Sequence, residues 1–369
     1  MKNIPLVSFN EELKIMENKF YQIFKKQLKE GDFIGGSSVN IFEEKIQNYF
    51  SSKYAISVAN GTDALVIALE SIKLKYNIND GKIIVPSFSF FATSEAIVKS
   101  GFEPIFVDVE RETGNIKIDS IDLNKVKKAV GILPVHLFGK PSNIEALNNF
   151  KIKNNLFMVE DVAQAFGSIY DERHLGTFGD AGCFSFFPTK ILGGYGDGGM
   201  ILTDDKNIAD YSNILKNHGS RMKYDHEVFG YNSRLDSLQA GLLTEKLKHI
   251  DKFIKSRVEV GKLYIDLLKD NENIELMNYE NSVFNYFTIL VPKERNNLMK
   301  YLRKNNVSSA IYYPKILPML KAHSNLGYKN TDFPNATYLS KTALSLPIWS
   351  LMDKKIVIKV ANIINGFFK

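Results

Sequence analysis

The stretch Ala181-Gly-Cys-Phe-Ser-Phe-Phe-Pro-Thr-Lys-Ile-Leu-Gly-Gly-Tyr-Gly-Asp-Gly-Gly-Met-Ile-Leu-Thr-Asp-Asp205 decides the reading. A short apolar run, Cys183 to Phe187, reads as a strand and leads to a single lysine, Lys190. Glycines follow at 193, 194, 196, 198 and 199, and then Met200 to Thr203 reads as a second strand. A lysine is thus expected on a tight loop between two buried strands, where glycines let the backbone approach something flat or anionic. Such a place suits a lysine that forms a Schiff base, which must be held partly desolvated beside a carbonyl. Gly194-x-Gly196-x-x-Gly199 also fits the dinucleotide fingerprint, but that motif requires a helix to open at its last glycine. A strand follows here, so the dinucleotide reading is rejected. No phosphate loop of the G-x-x-x-x-G-K-[ST] type occurs.

Two upstream stretches carry complementary chemistry. Leu156 to Val159 reads as a buried strand ending in two acids, Glu160 and Asp161. Ligands of open α/β sheets bind at the C-terminal strand ends, and a carboxylate there needs a metal, an arginine or a protonated ring nitrogen. No His/Cys/Asp spacing nearby builds a metal site, so a cationic ligand atom is favoured. Further upstream, the strand Tyr54 to Val58 runs through Ala59-Asn-Gly-Thr-Asp-Ala-Leu65 into a helix, Leu65 to Ile72. Free N–H groups at a helix start form an anion site, to which the Thr62 hydroxyl adds a donor. Plain capping by Thr62 or Asp63 is the alternative at this point. Ser87-Phe-Ser-Phe-Phe-Ala-Thr93, after the strand Lys82 to Val85, supplies aromatics that cover a planar ligand or fill core.

At 369 residues, with 44% hydrophobic and 12% aromatic content, the chain suits two packed domains. The net charge of +6 is spread through helical segments among acids. That argues solvated helix faces rather than a nucleic-acid surface. One cysteine, Cys183, excludes an intrachain disulfide and a cysteine metal cluster. No apolar run reaches the ~18 residues of a membrane helix, and the N-terminus turns acidic at Glu11-Glu12 before a signal core could form. A cytoplasmic protein is expected, without membrane or nucleic-acid partners.

Along the chain, helices are expected at 10–30, with apolar positions Leu13, Met16, Phe20, Ile23 and Phe24, and at 39–50, 94–99 and 143–149. Further strands are expected at 104–109 and 131–137. The alternation from 54 to 205 argues a mostly parallel α/β sheet. One long helix, starting near Gly230-Tyr-Asn-Ser-Arg and carrying Leu235, Leu242, Ile250 and Val258, is expected to link to a second domain. That domain is α+β, with a strand at 283–291, a helix at 296–304 and a final helix.

In this order the pieces resemble the DegT/DnrJ/EryC1/StrS family of pyridoxal-phosphate sugar aminotransferases along nearly the whole chain. The resemblance rests on Asn60-Gly-Thr-Asp-Ala-Leu65, Val85-Pro-Ser87 with Ala92-Thr93, Pro134-Val-His-Leu-Phe-Gly139 and Glu160-Asp-Val-Ala-Gln-Ala165. It continues through Phe184-Ser-Phe-Phe-Pro-Thr-Lys190, Gly196-Asp-Gly-Gly199, Tyr231-Asn-x-Arg-Leu235 and Leu344-Ser-Leu-Pro347. It implies a type I aminotransferase fold, with a large domain at 1–250, a small C-terminal α+β domain at 251–369, and a homodimer with shared active sites. The cofactor implied is pyridoxal 5′-phosphate, bound covalently by Lys190, which also shuttles the proton. Asp161 would pair with the pyridine nitrogen, Gln164 would sit near the phenolic oxygen, and Phe90 would stack on the ring. Gly61, Thr62, Asp63 (by its backbone) and Ser185 would hold the phosphate, and Asn232 would reach the phosphate of the partner subunit's cofactor.

The reaction implied is transfer of an amino group from L-glutamate to a nucleotide-linked keto-sugar, for amino-sugar and polysaccharide biosynthesis. The Asn-Gly-Thr-Asp-Ala-Leu form is similar to members acting at C3, with C4 the alternative. A dehydratase branch carries histidine in place of the lysine, and a regulatory protein that lost the chemistry is the other alternative. The chain departs from the family at Ile311-Tyr-Tyr-Pro314, where Tyr312 occupies a histidine's place, and at Trp349. Tyr312, Tyr313 and Ser37, in the loop Gly35-Gly-Ser-Ser38, are the substrate-facing candidates.

Overall fold

The computed structural model describes residues 3–122, 124 and 126–369. Met1 and Lys2 of the N-terminal stretch read above lie outside the described residues. Two helices, α1 (Asn10–Glu30) and α2 (Ser37–Phe50), precede the first strand, β1 (Tyr54–Val58). The chain then alternates through α3 (Gly61–Tyr76), β2 (Lys82–Pro86), α4 (Phe91–Lys99), β3 (Glu103–Val107), β4 (Ala129–Ile132), α5 (Ile144–Lys153), β5 (Phe157–Asp161), β6 (Ala181–Ser185), β7 (Gly199–Thr203) and α6 (Lys206–Leu215). These strands form one seven-stranded sheet in the order β1-β7-β6-β5-β4-β2-β3. Only β7 runs antiparallel, paired with β1 on one side and β6 on the other.

Alternate residues of each strand feed two cores, as the two-residue period of a strand requires. Phe157 and Val159 of β5, Cys183 of β6 and Ile201 of β7 pack with α3 in one layer. Met158, Phe184, Met200 and Leu202 pack with Phe42, Ile46 and Leu243 in the other. Strands buried on both faces explain why these segments read as continuous apolar runs.

The long helix expected after residue 230 is two helices, α7 (Ser237–Leu247) and α8 (Ile250–Leu268). Lys248 keeps helical angles, but His249 leaves the helical path at φ −109° and ψ 4°. Both helices bury one face, so the apolar period continues across the break and hides it. Residues 230–236 are extended, with bridges from Asn232 to Asn217 and from Asp236 to Ile34. Beyond α8, a three-stranded antiparallel sheet combines β8 (Glu275–Leu276), β9 (Phe287–Leu290) and β10 (Ala343–Leu346). The helices α9 (Arg295–Lys304), α10 (Pro334–Thr342) and α11 (Lys354–Phe367) complete this region. The strand expected over 283–291 shortens to β9 because Asn281 and Phe284 take positive φ of 57° and 51°. The N-terminal segment joins this region: Ile4 bridges to Val307, and Ile348 N–H donates to Leu6 O at 3.1 Å.

On α1 the buried positions are Glu12, Met16 and Gln27, whereas Phe24, counted with the buried stripe, is 48% exposed. Helix α3 opens on a side-chain cap, with Asn60 Oδ1 accepting from Asp63 N–H at 2.8 Å. Removing such a cap costs about 1 kcal/mol. Asn60→Ala is therefore expected to lower Tm by about 2 °C in a calorimetric scan. A Tm equal to wild type would show that α3 is held by packing alone.

Candidate active site

The C-terminal ends of β1, β5 and β6 converge on one side of the sheet. Two glycines make the convergence close. A Cβ on Gly61 would stand 2.6 Å from Ser185 Cβ, and one on Gly199 would stand 2.3 Å from Asn60 O. The start of α3 therefore abuts the ends of β6 and β7. First-turn N–H groups have no intrahelical acceptor, so Gly61 and Thr62 present theirs at this junction, with the Ser185 hydroxyl alongside. The Asp63 N–H donates to Asn60 Oδ1 at 2.8 Å, and the Asp63 Oδ2 accepts from Ser233 Oγ at 2.7 Å.

Lys190 sits on the loop joining β6 to β7, its N–H bonded to Phe187 O at 2.8 Å. Its Nζ lies 5.9 Å from the centre of the Tyr286 ring. Desolvation lowers its pKa to about 8, against an opposing pull from the Asp161 carboxylate. Asp161 ends β5 and is buried. Its Oδ2 accepts from Thr93 Oγ1 at 2.8 Å and its Oδ1 from Ala163 N–H at 3.1 Å. Burial nevertheless raises its pKa, with the Thr93 and Ala163 bonds and the positive charge of Lys190 opposing. A buried carboxylate in this state is completed by a cationic partner.

The neighbouring acid does something else. Glu160 points to the other side of the strand and accepts from Gly176 N–H, Phe178 N–H and Gly179 N–H at 2.9, 2.8 and 2.7 Å. His136 Nε2 adds a contact at 3.1 Å, while its Nδ1 accepts from Ser142 N–H, also at 3.1 Å. Despite its burial, the His136 hydrogen bond leads a set of donors that holds Glu160 below the usual carboxylate range. Glu160 is structural.

Gln164 Oε1 accepts from Phe138 N–H at 2.8 Å and its Nε2 donates to Tyr313 OH at 2.9 Å. Phe90 is 58% exposed, with its ring 6.1 Å from that of Tyr313. Tyr312 lies tilted against Tyr286, ring centres 4.5 Å apart, and Tyr286 itself flanks Lys190. Thus Lys190, Asp161, Gln164, Phe90, Tyr312 and Tyr313 form one connected group, and Gly61, Thr62 and Ser185 form the adjoining junction. Ser37 and Asn232 are exposed and stand apart. Ser37 Oγ donates to Asp32 Oδ2 at 3.3 Å in the first turn of α2.

Sequence reasoning missed Thr93 as the partner of Asp161, Ser233 as the partner of Asp63, and Tyr286 as the neighbour of Lys190. Thr93 and Ser233 lay inside quoted motifs without a role; Tyr286 lay in a segment that reads as an ordinary strand. Among the described residues, no group of three or more His, Cys, Asp or Glu side chains is arranged to hold a metal ion, and no helix is long and apolar enough to cross a membrane.

The residues present fit a flat group with an anionic end and a protonatable ring nitrogen: a donor-rich helix start for the anion, a buried carboxylate for the nitrogen, and an amine between aromatic rings. The comparisons agree. The DegT/DnrJ/EryC1/StrS aminotransferase family matches residues 14–365. A dTDP-3-amino-3,6-dideoxy-alpha-D-galactopyranose transaminase of Aneurinibacillus thermoaerophilus is 34% identical over 368 residues, 99% of each chain. A pleiotropic regulatory protein of Geobacillus stearothermophilus is 34% identical over 375 residues, 99% of this chain and 100% of its own. The crystal structure of S. venezuelae DesV in complex with a ketimine intermediate superposes with a TM-score of 0.93 at 28% identity, covering 100% of this chain and 99% of that one. The chain belongs to the DegT/DnrJ/EryC1/StrS aminotransferase family, and its cofactor is pyridoxal phosphate.

In the cofactor-free protein, Lys190 is expected to react with an amine-selective reagent with a midpoint near pH about 8. A midpoint at the ordinary lysine value would contradict the desolvated setting. Because the folded amine releases its proton before the unfolded one does, its contribution to stability rises as pH increases above about 8.

Proposed function

We propose that this aminotransferase moves an amino group from L-glutamate to C3 of a nucleotide-linked deoxy-keto-sugar, in the cytoplasm, for amino-sugar biosynthesis. The observation that carries the reading is the buried Asp161 carboxylate facing a desolvated Lys190 across the C-terminal edge of the sheet. Bound pyridoxal phosphate supplies an electron sink for the carbon that gains or loses a proton. The chain's own residues bind and orient it. Asp161, fixed by Thr93 and Ala163, holds a proton on the ring nitrogen. The N–H groups of Gly61 and Thr62, with the hydroxyls of Thr62 and Ser185, take the phosphate. Phe90 covers the open face, and Gln164 is anchored by Phe138 to offer its amide on the phenolic side. Lys190 is the covalent anchor. Its amine would also carry the proton at the reacting carbon.

Amination at C3 is supported by the name of the Aneurinibacillus relative, a 3-amino sugar transaminase. Amination at C4 is the other outcome of product analysis. Lysine at 190, where the dehydratase branch has histidine, favours transamination. A second copy completes the site in this reading. Tyr21, Phe24 and Leu28 of α1 and the adjacent Phe33 and Ile34 expose apolar surface at 60, 48, 56, 56 and 54%, which a homodimer would cover. Asn232, also exposed, is then available to the phosphate bound by the other copy.

Addition of L-glutamate to the pyridoxal-phosphate form is expected to bleach its visible band, and NMR of the product from a 3-keto sugar nucleotide should place the new amine at C3. A band that never forms would overturn the reading. Lys190→Ala is expected to reduce turnover by more than the roughly 10²–10⁴-fold of acid–base work alone. Turnover within tenfold of wild type would remove Lys190 from the chemistry. Asp161→Asn should weaken cofactor affinity and turnover together; unchanged values would remove Asp161 from the site.

A further inference from the structure

The loop that carries Lys190 is tied down at its base and on its downstream side. At its base, Phe186 N–H donates to Gly198 O at 2.8 Å and Gly194 N–H to Phe186 O at 2.7 Å. Gly193 folds directly onto the lysine turn: a Cβ there would stand 2.2 Å from Pro188 O and 3.0 Å from Lys190 O. Any shift of Gly193 is therefore transmitted to the peptide of Lys190.

Two side chains from α7 grip this half of the loop. Lys246, 1% exposed, donates from Nζ to Gly193 O at 2.8 Å. Gln239 Oε1 accepts from Tyr195 N–H at 2.8 Å, and its amide fills the space that Gly194 and Gly196 leave open. The Lys246 ammonium is neutralised from a third element. Glu12 of α1, 4% exposed, pairs with it at 2.7 Å. Phe20, two turns further along α1, packs edge-on against the Tyr195 ring at 5.0 Å. Arg257 of α8 faces the same pair, and its own donors go to Ser350 Oγ and to the Phe284 and Asn285 carbonyls. A buried ion pair contributes little net stability, because desolvation offsets the attraction. Its retention beside the lysine loop calls for a reason other than stability.

We propose that Lys246, held by Glu12, and Gln239 together position Lys190, by pinning Gly193 and Tyr195 so that the amine faces Asp161 and Tyr286. All three are positioning residues, acting on the site through the loop. The inference rests on the reading of Lys190 as the cofactor's anchor.

The test is the double variant Glu12→Gln/Lys246→Met, which removes both charges of the pair together and leaves Arg257 its Ser350, Phe284 and Asn285 acceptors. It is expected to retain the far-UV circular dichroism of wild type. Its dissociation constant for pyridoxal phosphate should rise about tenfold, and the pH midpoint of the bound cofactor's visible band should move by at least about half a unit. A folded double variant with wild-type affinity and midpoint would overturn the proposal, since a purely structural pair moves neither. If that variant does not fold, Gln239→Leu decides: it removes only the Tyr195 anchor, and wild-type values for both readouts would overturn the proposal. Failure of the anchor reading is seen separately, as wild-type protein that develops no visible band. The clamp is then read by amide exchange at Gly194 and Tyr195. Exchange about tenfold faster in the variant supports the clamp, and an unchanged rate overturns it.

Discussion

The antiparallel insertion of β7 between β1 and β6 is the constraint on which the site depends. A parallel neighbour to β6 would need a crossover, carrying the chain away from the strand ends. An antiparallel one returns at once, so the connection stays at the C-terminal edge, where Ser185 pairs with Gly199. The same strand pairs Gly199 with Val58, the last residue of β1. One strand thus places the lysine loop beside the turn that opens α3. The closeness of that junction leaves no room for a Cβ at Gly61 or Gly199. The amine and the helix start are positioned by the register of one strand.

Two adjacent acids at the end of β5 show how burial divides labour. Successive side chains leave a strand on opposite faces. Glu160 meets three backbone N–H groups and His136, so its charge is satisfied within the fold. Asp161 meets one hydroxyl and one N–H, too few to offset its desolvation. Its residual electrostatic demand is left for a cationic partner. Lys190 carries the opposite deficit, an amine whose charged form is disfavoured by the same dry surroundings. The pair is poised to bind rather than to neutralise itself, because neither group donates to or accepts from the other in the described hydrogen bonds.

Much of this was legible from local signals. The glycine cluster, the strand-end acids and the Asn-Gly-Thr turn each imply a backbone geometry, and the structure adopts it in all three. Where the reading failed, the missing information was non-local. The break at His249 leaves the apolar period intact, so periodicity could not see it. Tyr286 meets Lys190 only because β9 belongs to a second sheet whose position relative to the first is a matter of tertiary packing. Glu12 shows the same limit, since a glutamate on an amphipathic helix reads as solvated until Lys246 is found beside it.

The site draws on both the seven-stranded and the three-stranded sheet. Asp161, Lys190, Ser185 and the start of α3 all hang from the central sheet, where register fixes them. Tyr286, Tyr312 and Tyr313 come from the segments around the three-stranded sheet, and they touch the first group through few contacts. Gln164 Nε2 to Tyr313 OH is one of them. The ring of Tyr286 near Lys190 is another. Side chains joined to the chemistry by so few contacts can be exchanged without disturbing it. Substitution at Tyr312 is therefore expected to leave the amine and its carboxylate in place. Its ring lies tilted against that of Tyr286 at 4.5 Å, so the two form one aromatic wall.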